Sequence, residues 1–308
     1  MLQYLVILLD DAAVSYCHYP TPNAGKHSIP LNVLHKGIRF AMTENLMIQF
    51  VYPEGELPED VRKEVETIDH SKIMPVTSPY VAEADVLVCD GWDALPQKVD
   101  VSLVLKTAFA DFLKCYEKLY VLLAEAPRLN VVFTDTEKFT DADIPAYKAA
   151  LSSLAGKLER LYVAGKSPQL NLLTDRMMLK EMNNCGAGDT NITLAPDGKF
   201  YLCPSLSTTV GDLDAGLRIP NQQLYKFDHA PLCRKCDSYQ CKRCVWLNER
   251  LTLEVNTPSR QQCVMAHLER NTARELLNNI RKHGMFLPEM PEIKEIDYLD
   301  PFAVKNEW

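Results

Sequence analysis

Seven of the chain's ten cysteines fall between Cys185 and Cys263 in short repeated steps, and this crowding constrains the fold more than any other feature of the 308 residues. The order is Cys185, twelve residues, Gly198, four residues, Cys203, a gap of 29, Cys233-x2-Cys236-x4-Cys241-x2-Cys244, a gap of 18, and Cys263. Two C-x-x-C pairs so close together are a metal-ligand pattern, because a two-residue spacer lets each pair chelate from one turn. The spacers Arg234-Lys235 and Lys242-Arg243 set positive charge beside the thiols, which favours thiolate and ligation; the same four charges also fit a solvated face. Around the first two cysteines the sequence predicts a hairpin. Residues 190–194 and 199–202 are strand-like, and Pro196-Asp197-Gly198 between them supplies a preset φ and a residue that accepts positive φ. Such a turn returns Cys185 and Cys203 to one end of the ribbon.

Three chemistries use cysteines at this density. A disulfide framework needs an oxidising compartment, yet the opening MLQYLVILLDD has no basic n-region, only six apolar residues in a row, and an acidic pair where a cleavage site would stand. A reducing cytoplasm is the expected location. Structural zinc takes four thiolates and leaves Cys185, Cys203 and Cys263 as small hydrophobes. Iron-sulfur clusters take four thiolates each, so seven cysteines nearly fill two; the shortfall leaves one iron open or gives it an eighth ligand from elsewhere.

Residues 1–178 alternate between strand-like and helix-like segments. Residues 4–9 form a short unbroken apolar run, as a buried parallel strand requires, and residues 32–45 place Leu34, Ile38 and Met42 on one helix face. Further strands are predicted at 47–51, 73–76, 85–89, 101–105, 130–133, Tyr162-Val163 and 170–173, and helices at 59–68, 109–123 and from Asp143, an N-cap followed by Pro145. This rhythm predicts a parallel sheet or partial barrel with functional loops at the C-terminal strand ends. The net charge of −8, with basic residues scattered, argues against a nucleic-acid partner, and no apolar run is long enough to span a membrane.

The order of cysteines, with CGAG at 185–188, APDGKFYLCPSL at 195–206 and GDLDAGL at 211–217, resembles the SPASM domain of radical-SAM peptide-modifying enzymes. The chain departs from that family in its four-cysteine block, which has spacers of four and two residues where five and three are usual. The resemblance implies one four-iron four-sulfur cluster on Cys233, Cys236, Cys241 and Cys263. It implies a second on Cys185, Cys203 and Cys244, with one position open. Structural zinc is the alternative cofactor.

In the loop after the first strand, radical-SAM enzymes carry C-x-x-x-C-x-aromatic-C for the cluster that binds S-adenosylmethionine. Here Ala13 replaces the first cysteine, Cys17 keeps the second, Tyr19 is the aromatic residue and Pro20 replaces the third. Residues 53–58, PEGELP, are similar to a worn form of the family's Gly-Gly-Glu-Pro loop. One thiolate cannot hold a cluster that needs three, so SAM binding is not expected. The whole resembles the CXXX repeat peptide maturase group, which is linked to ribosomally made bacterial peptides with Cys-rich repeats.

The implied architecture is an α/β chain in three parts. Residues 1–178 form a partial β/α barrel of radical-SAM type, residues 179–265 a SPASM-like metal domain, and residues 266–308 a C-terminal helix and tail. The helix carries Leu268, Thr272, Leu276 and Ile280 and stops at Gly284; the apolar tail from Met285 is expected to drape over the first domain or a partner. Two function classes follow. One is maturation of a precursor peptide with Cys-rich repeats, with auxiliary clusters and no SAM radical chemistry. The other is a non-catalytic adaptor, stapled by zinc or clusters, that presents a peptide to a separate modification enzyme.

Several residues have plainer readings. Cys17 and His18 are either a relic ligand pair or structural loop residues. Asp10 and Asp11 either touch substrate or cap a turn, Cys89 and Cys115 are buried apolar-like thiols, and Trp246 either shields a cluster or packs on the adjacent helix.

Overall fold

The computed structural model describes residues 2–22, 27–182, 185–205, 208–284 and residue 293. The chain runs β1 (Tyr4–Leu8), α1 (Leu31–Thr43), β2 (Met47–Val51), α2 (Glu59–Glu66), β3 (Ser71–Pro75), β4 (Val86–Asp90), β5 (Ser102–Thr107), α3 (Phe109–Cys115) and α4 (Leu119–Leu122). It continues with β6 (Arg128–Phe133), α5 (Ile144–Val163), β7 (Gln169–Leu170), α6 (Thr174–Met178), β8 (Asn191–Leu194), β9 (Lys199–Tyr201), β10 (Thr209–Asp212), β11 (Gly216–Leu217), α7 (Val245–Thr252) and α8 (Arg260–Lys282).

Strands β1 to β7 lie side by side in chain order, all parallel. β8 joins the other side of β1 in parallel register, from Tyr4↔Asn191 to Ile7↔Leu194, and β9, β10 and β11 continue antiparallel. The cysteine-rich stretch thus lengthens the sheet begun by the first half, giving 11 strands in one sheet among the described residues.

Side chains alternate between the two faces, as strand geometry requires. Leu5 and Ile7 of β1, Leu103 and Leu105 of β5, and Ile192 and Leu194 of β8 join the main core with Leu34 and Ile38 of α1, Leu151 and Leu158 of α5, and Leu276 and Ile280 of α8. Val6, Leu8, Val51, Ile73, Val88 and Val104 form a second core with no helix in it; Ala13 and Val14, from the loop after β1, complete it. Helices therefore cover one face, and that loop lies against the other.

Several local expectations change. Tyr162-Val163 is the last turn of α5, because the spacing of Leu151, Leu154, Leu158 and Leu161 carries the helix through it. The following strand shrinks to Gln169–Leu170. Asp143 makes its capping contacts one turn earlier than expected, in a reciprocal box with Thr140, whose N–H donates to Asp143 Oδ2 at 2.8 Å. Only a 3-10 turn, Val81–Glu83, separates β3 from β4, and no helix separates β4 from β5. α8 starts at Arg260 behind a Ser259/Gln262 capping box, which places Cys263 in its first turn. At its other end Gly284 has φ +70°. The tail lies outside the described residues except for Ile293, which is buried in the main core. No helix among the described residues is long and apolar enough to cross a membrane.

Gly37 of α1 marks where that helix crosses the β1–β8 seam: a Cβ there would stand 2.4 Å from Leu194 Cδ2, in a fully buried side chain. Gly37→Ala gains about 1 kcal/mol of helix propensity but overpacks the seam by about 1–3 kcal/mol. A lower thermal midpoint is expected, and a raised one would show that Leu194 yields without cost.

α8 packs along α5, and Tyr147 of α5 donates its hydroxyl to Glu269 Oε1 at 2.7 Å, both groups buried. Burial pushes the Glu269 carboxyl up to about 7, against hydrogen bonds from Tyr147 and Gln240. The unfolded chain loses this proton near the ordinary carboxylate value while the native state keeps it. Stability should therefore fall as pH rises from about 4.5 to about 7, by about 3 kcal/mol, and level off above. Thermal unfolding across that window should show the slope in the parent chain and a flatter profile in Glu269→Gln; equal slopes would mean that another group is responsible.

Candidate metal-binding cysteines

None of the ten cysteines is paired in a disulfide. Cys233 opens a 3-10 turn and its carbonyl accepts the Cys236 N–H at 2.9 Å, so the first C-x-x-C pair comes from one turn, as its spacing predicts. The Cys236 sulfur accepts the Ser238 N–H at 3.4 Å and lies 3.5 Å from His267 Nε2. Cys263 enters from the first turn of α8, and Cys233, Cys236, Cys241, Cys263 and His267 line one cavity. Burial pushes the Cys241 thiol up to about 12, with the charges of Cys233 and Cys236 adding to the effect. Burial likewise raises Cys263, with further contributions from Cys241, Cys233 and Cys236. The Cys263 sulfur thus feels the other three.

The second C-x-x-C pair behaves differently. Cys244 is raised by burial and then by Cys185, Cys17 and Cys203. The chain turns sharply between Cys241 and Cys244, where Arg243 adopts φ +45°. The Lys242 carbonyl accepts the Cys185 N–H at 2.8 Å, fastening this turn to the start of the hairpin. The hairpin is built as its sequence predicts: Leu194 pairs with Phe200 and Gly198 takes φ +78°, so Cys185 and Cys203 flank the same end. Cys233, Cys236, Cys241 and Cys263 thus share one cavity, whereas the charges acting on Cys244 are those of Cys185, Cys17 and Cys203, and a second cavity between them is lined by both Cys241 and Cys244. Among the described residues, no three Cys, His, Asp or Glu side chains converge tightly enough to hold a single metal ion.

Positive charge surrounds both groups. Arg234 and Lys235 face solvent, whereas Arg243 is buried and donates to the Tyr225 carbonyl at 2.5 Å. Burial holds the Lys242 ammonium below its usual range, partly opposed by Asp175. Arg270 and Arg176, both buried, converge on Asp237 at 2.6 and 3.3 Å, and Arg176 stacks over the Tyr239 ring at 4.3 Å. Nothing in the spacing of the sequence marks Arg176 or Arg270, because their meeting at Asp237 is a tertiary contact. Ser238 Oγ is buried beside Cys236 without a hydrogen-bond partner among the described residues, leaving a hydroxyl that a sulfide acceptor would satisfy.

The residues with plainer readings also find their places. Asp10 accepts the Ala12 N–H at 2.8 Å and the Ser28 hydroxyl at 3.0 Å, so it caps the loop after β1. Asp11 pairs with His27 at 3.2 Å on the surface. Cys89 is buried and donates to the Gly91 carbonyl at 3.1 Å, while Cys115 is only half-buried at the end of α3. Trp246 packs on the main core beneath Arg250.

No protein-family model and no curated protein matches this sequence. Solved structures share its fold. Polyhistidine-tagged anSMEcpe with bound AdoMet superposes with a TM-score of 0.62 at 11% identity, covering 93% of this chain and 97% of that one. Native anSMEcpe with bound AdoMet and Cp18Cys peptide gives 0.59 at 13% identity over 92% of this chain and 100% of that one. With Kp18Cys peptide the values are 0.56, 13%, 91% and 99%. At such identities the likeness is one of fold, and it extends over nine-tenths of the chain.

Proposed function

We propose that this chain is a peptide-maturation protein of radical-SAM/SPASM type that binds a cysteine-containing precursor peptide of the CXXX repeat kind and carries two four-iron four-sulfur clusters. The observation that carries this reading is the sorting of the cysteines into two groups, buried or half-buried, the first of which lines a single cavity. Cys233, Cys236, Cys241 and Cys263 would hold one cluster, and Cys185, Cys203 and Cys244 belong to the other. The donor set fits: thiols are the ligands such clusters take, and buried arginines and an unpartnered Ser238 hydroxyl stand beside them. Zinc would draw four sulfurs onto one atom, about 3.8 Å from one another at Zn–S distances of about 2.3 Å. A four-iron four-sulfur cube instead takes one thiolate at each of four corners.

Iron-sulfur clusters supply one-electron transfer when bound. The chain's own residues bury the sulfurs, place cations around them and fix the loops that carry them. The fold shared with anSMEcpe, solved with Cp18Cys and Kp18Cys peptides, supports a peptide as the partner. A separate modification enzyme acting on the same peptide fits this reading as a second partner.

The same reading leaves SAM radical chemistry out of this chain. Ala13 and Pro20 stand where two cluster cysteines belong, and Ala13 and Val14 pack against Val6, Leu8 and Val104 on the helix-free face. Reductive cleavage of S-adenosylmethionine by the reconstituted protein would overturn that part.

Metal analysis of protein purified without oxygen decides the main reading. About eight iron and eight sulfide per chain are expected, falling to about four of each in Cys263→Ala. One or two zinc and no sulfide would make this a zinc-stapled adaptor instead.

A further inference from the structure

The sequence supplies seven cysteines to the metal-binding stretch, and the fold brings in an eighth. We propose that Cys17, on the loop after β1, completes a four-thiolate set with Cys185, Cys203 and Cys244, so that one cluster fastens this loop to the cysteine-rich stretch. The inference rests on the cluster reading above and deepens it by filling the position that reading leaves open.

The loop is held in place on both sides of Cys17. Val14 N–H donates to the Tyr52 carbonyl at 2.9 Å, and Ser15, fully buried, takes its N–H to Thr21 Oγ1 at 3.1 Å. The Ser15 hydroxyl reaches the Cys17 and Tyr19 carbonyls. Beyond Cys17, His18 Nδ1 bonds to the Phe133 carbonyl at the end of β6 at 3.0 Å, and the buried Lys106 ammonium donates to the Tyr19 carbonyl at 3.1 Å. Anchored to β5, to β6 and to Tyr52 just beyond β2, the loop carries His18 into the cavity that Lys242 and Cys244 also line. The charges of Cys203 and Cys185 act on the Cys17 sulfur, and Lys242 and Lys106 bring it positive charge.

The count closes as well. Cys89 is bonded to Gly91 and Cys115 ends α3, which leaves eight of the ten cysteines in two groups of four. Four-iron clusters take four thiolates each. Ligation at Cys17 replaces its S–H bond by an Fe–S bond, the proton leaving to solvent, with no change of oxidation state. The iron at that corner is then capped from within the chain, and a peptide thiol reaches it only by displacing Cys17.

The test uses the full chain purified without oxygen, with 2-mercaptoethanol as the probe thiol. In the parent protein, added thiol is expected to leave the visible and electron paramagnetic resonance spectra unchanged. In Cys17→Gly, iron should fall below the parent's value or the spectrum should become thiol-responsive, while Cys115→Ala behaves as the parent. Parent-like iron, sulfide and spectra in Cys17→Gly, with no response to thiol, would overturn the proposal. A thiol response in the parent itself would also overturn it, and that outcome remains readable if the variant fails to fold. Absence of iron and sulfide from the parent would instead be the failure of the cluster reading.

Discussion

The pairing of β1 with β8 is the interaction on which the cysteine sites depend. It brings a strand from the start of the chain against one that begins at Asn191, and its register places Leu5 and Ile7 on the same face as Ile192 and Leu194. A slip of one residue would turn those four side chains toward the other face, so the hydrophobic core enforces the register. Both sulfur-bearing segments hang from this seam: the loop with Cys17 leaves β1, Cys185 precedes β8, and Cys203 follows β9. Gly37 lets α1 approach the seam closely enough to seal it.

Burying this many sulfurs is cheap or costly according to their protonation. As thiols they pack like small hydrophobes, and burial favours that form at Cys233, pushing it up to about 11 despite the nearby Arg243. As thiolates they would need compensating charge, which a metal centre supplies directly. The cations around them already lean that way: Lys242 beside Cys17 and Cys185, Arg243 beside Cys233, and the Arg176–Asp237–Arg270 network alongside. Where a buried set of ligands is completed only by the folded chain, metal affinity and folding stability become one quantity.

Much of this was legible because it is local. The turn at Gly198, the capped helix ending at Gly284 and the C-x-x-C turn at Cys233 each follow from a few neighbouring residues. The strand expected at Tyr162-Val163 failed for an equally local reason: two strand-favouring residues were weighed without the leucine period running into them. Short strands such as Gln169–Leu170 depend on a neighbour, here β6, more than on their own sequence. The placement of Cys17 was beyond reach, since 168 positions separate it from Cys185 and the loop is placed by tertiary contacts, the packing of Ala13 and Val14 on the sheet and the bonds to Phe133 and Lys106.

The split of the second C-x-x-C pair shows what spacing can and cannot specify. A two-residue spacer permits chelation from one turn, and Cys233 and Cys236 use it so. Between Cys241 and Cys244 the positive φ of Arg243 and the Lys242 carbonyl's bond to Cys185 turn the two sulfurs toward different groups. Four residues thus join the two sites covalently, and Cys241, Cys244 and the buried Glu269 line one cavity between them. Glu269 is tied to α5 through Tyr147, so helices from both halves of the chain support that cavity.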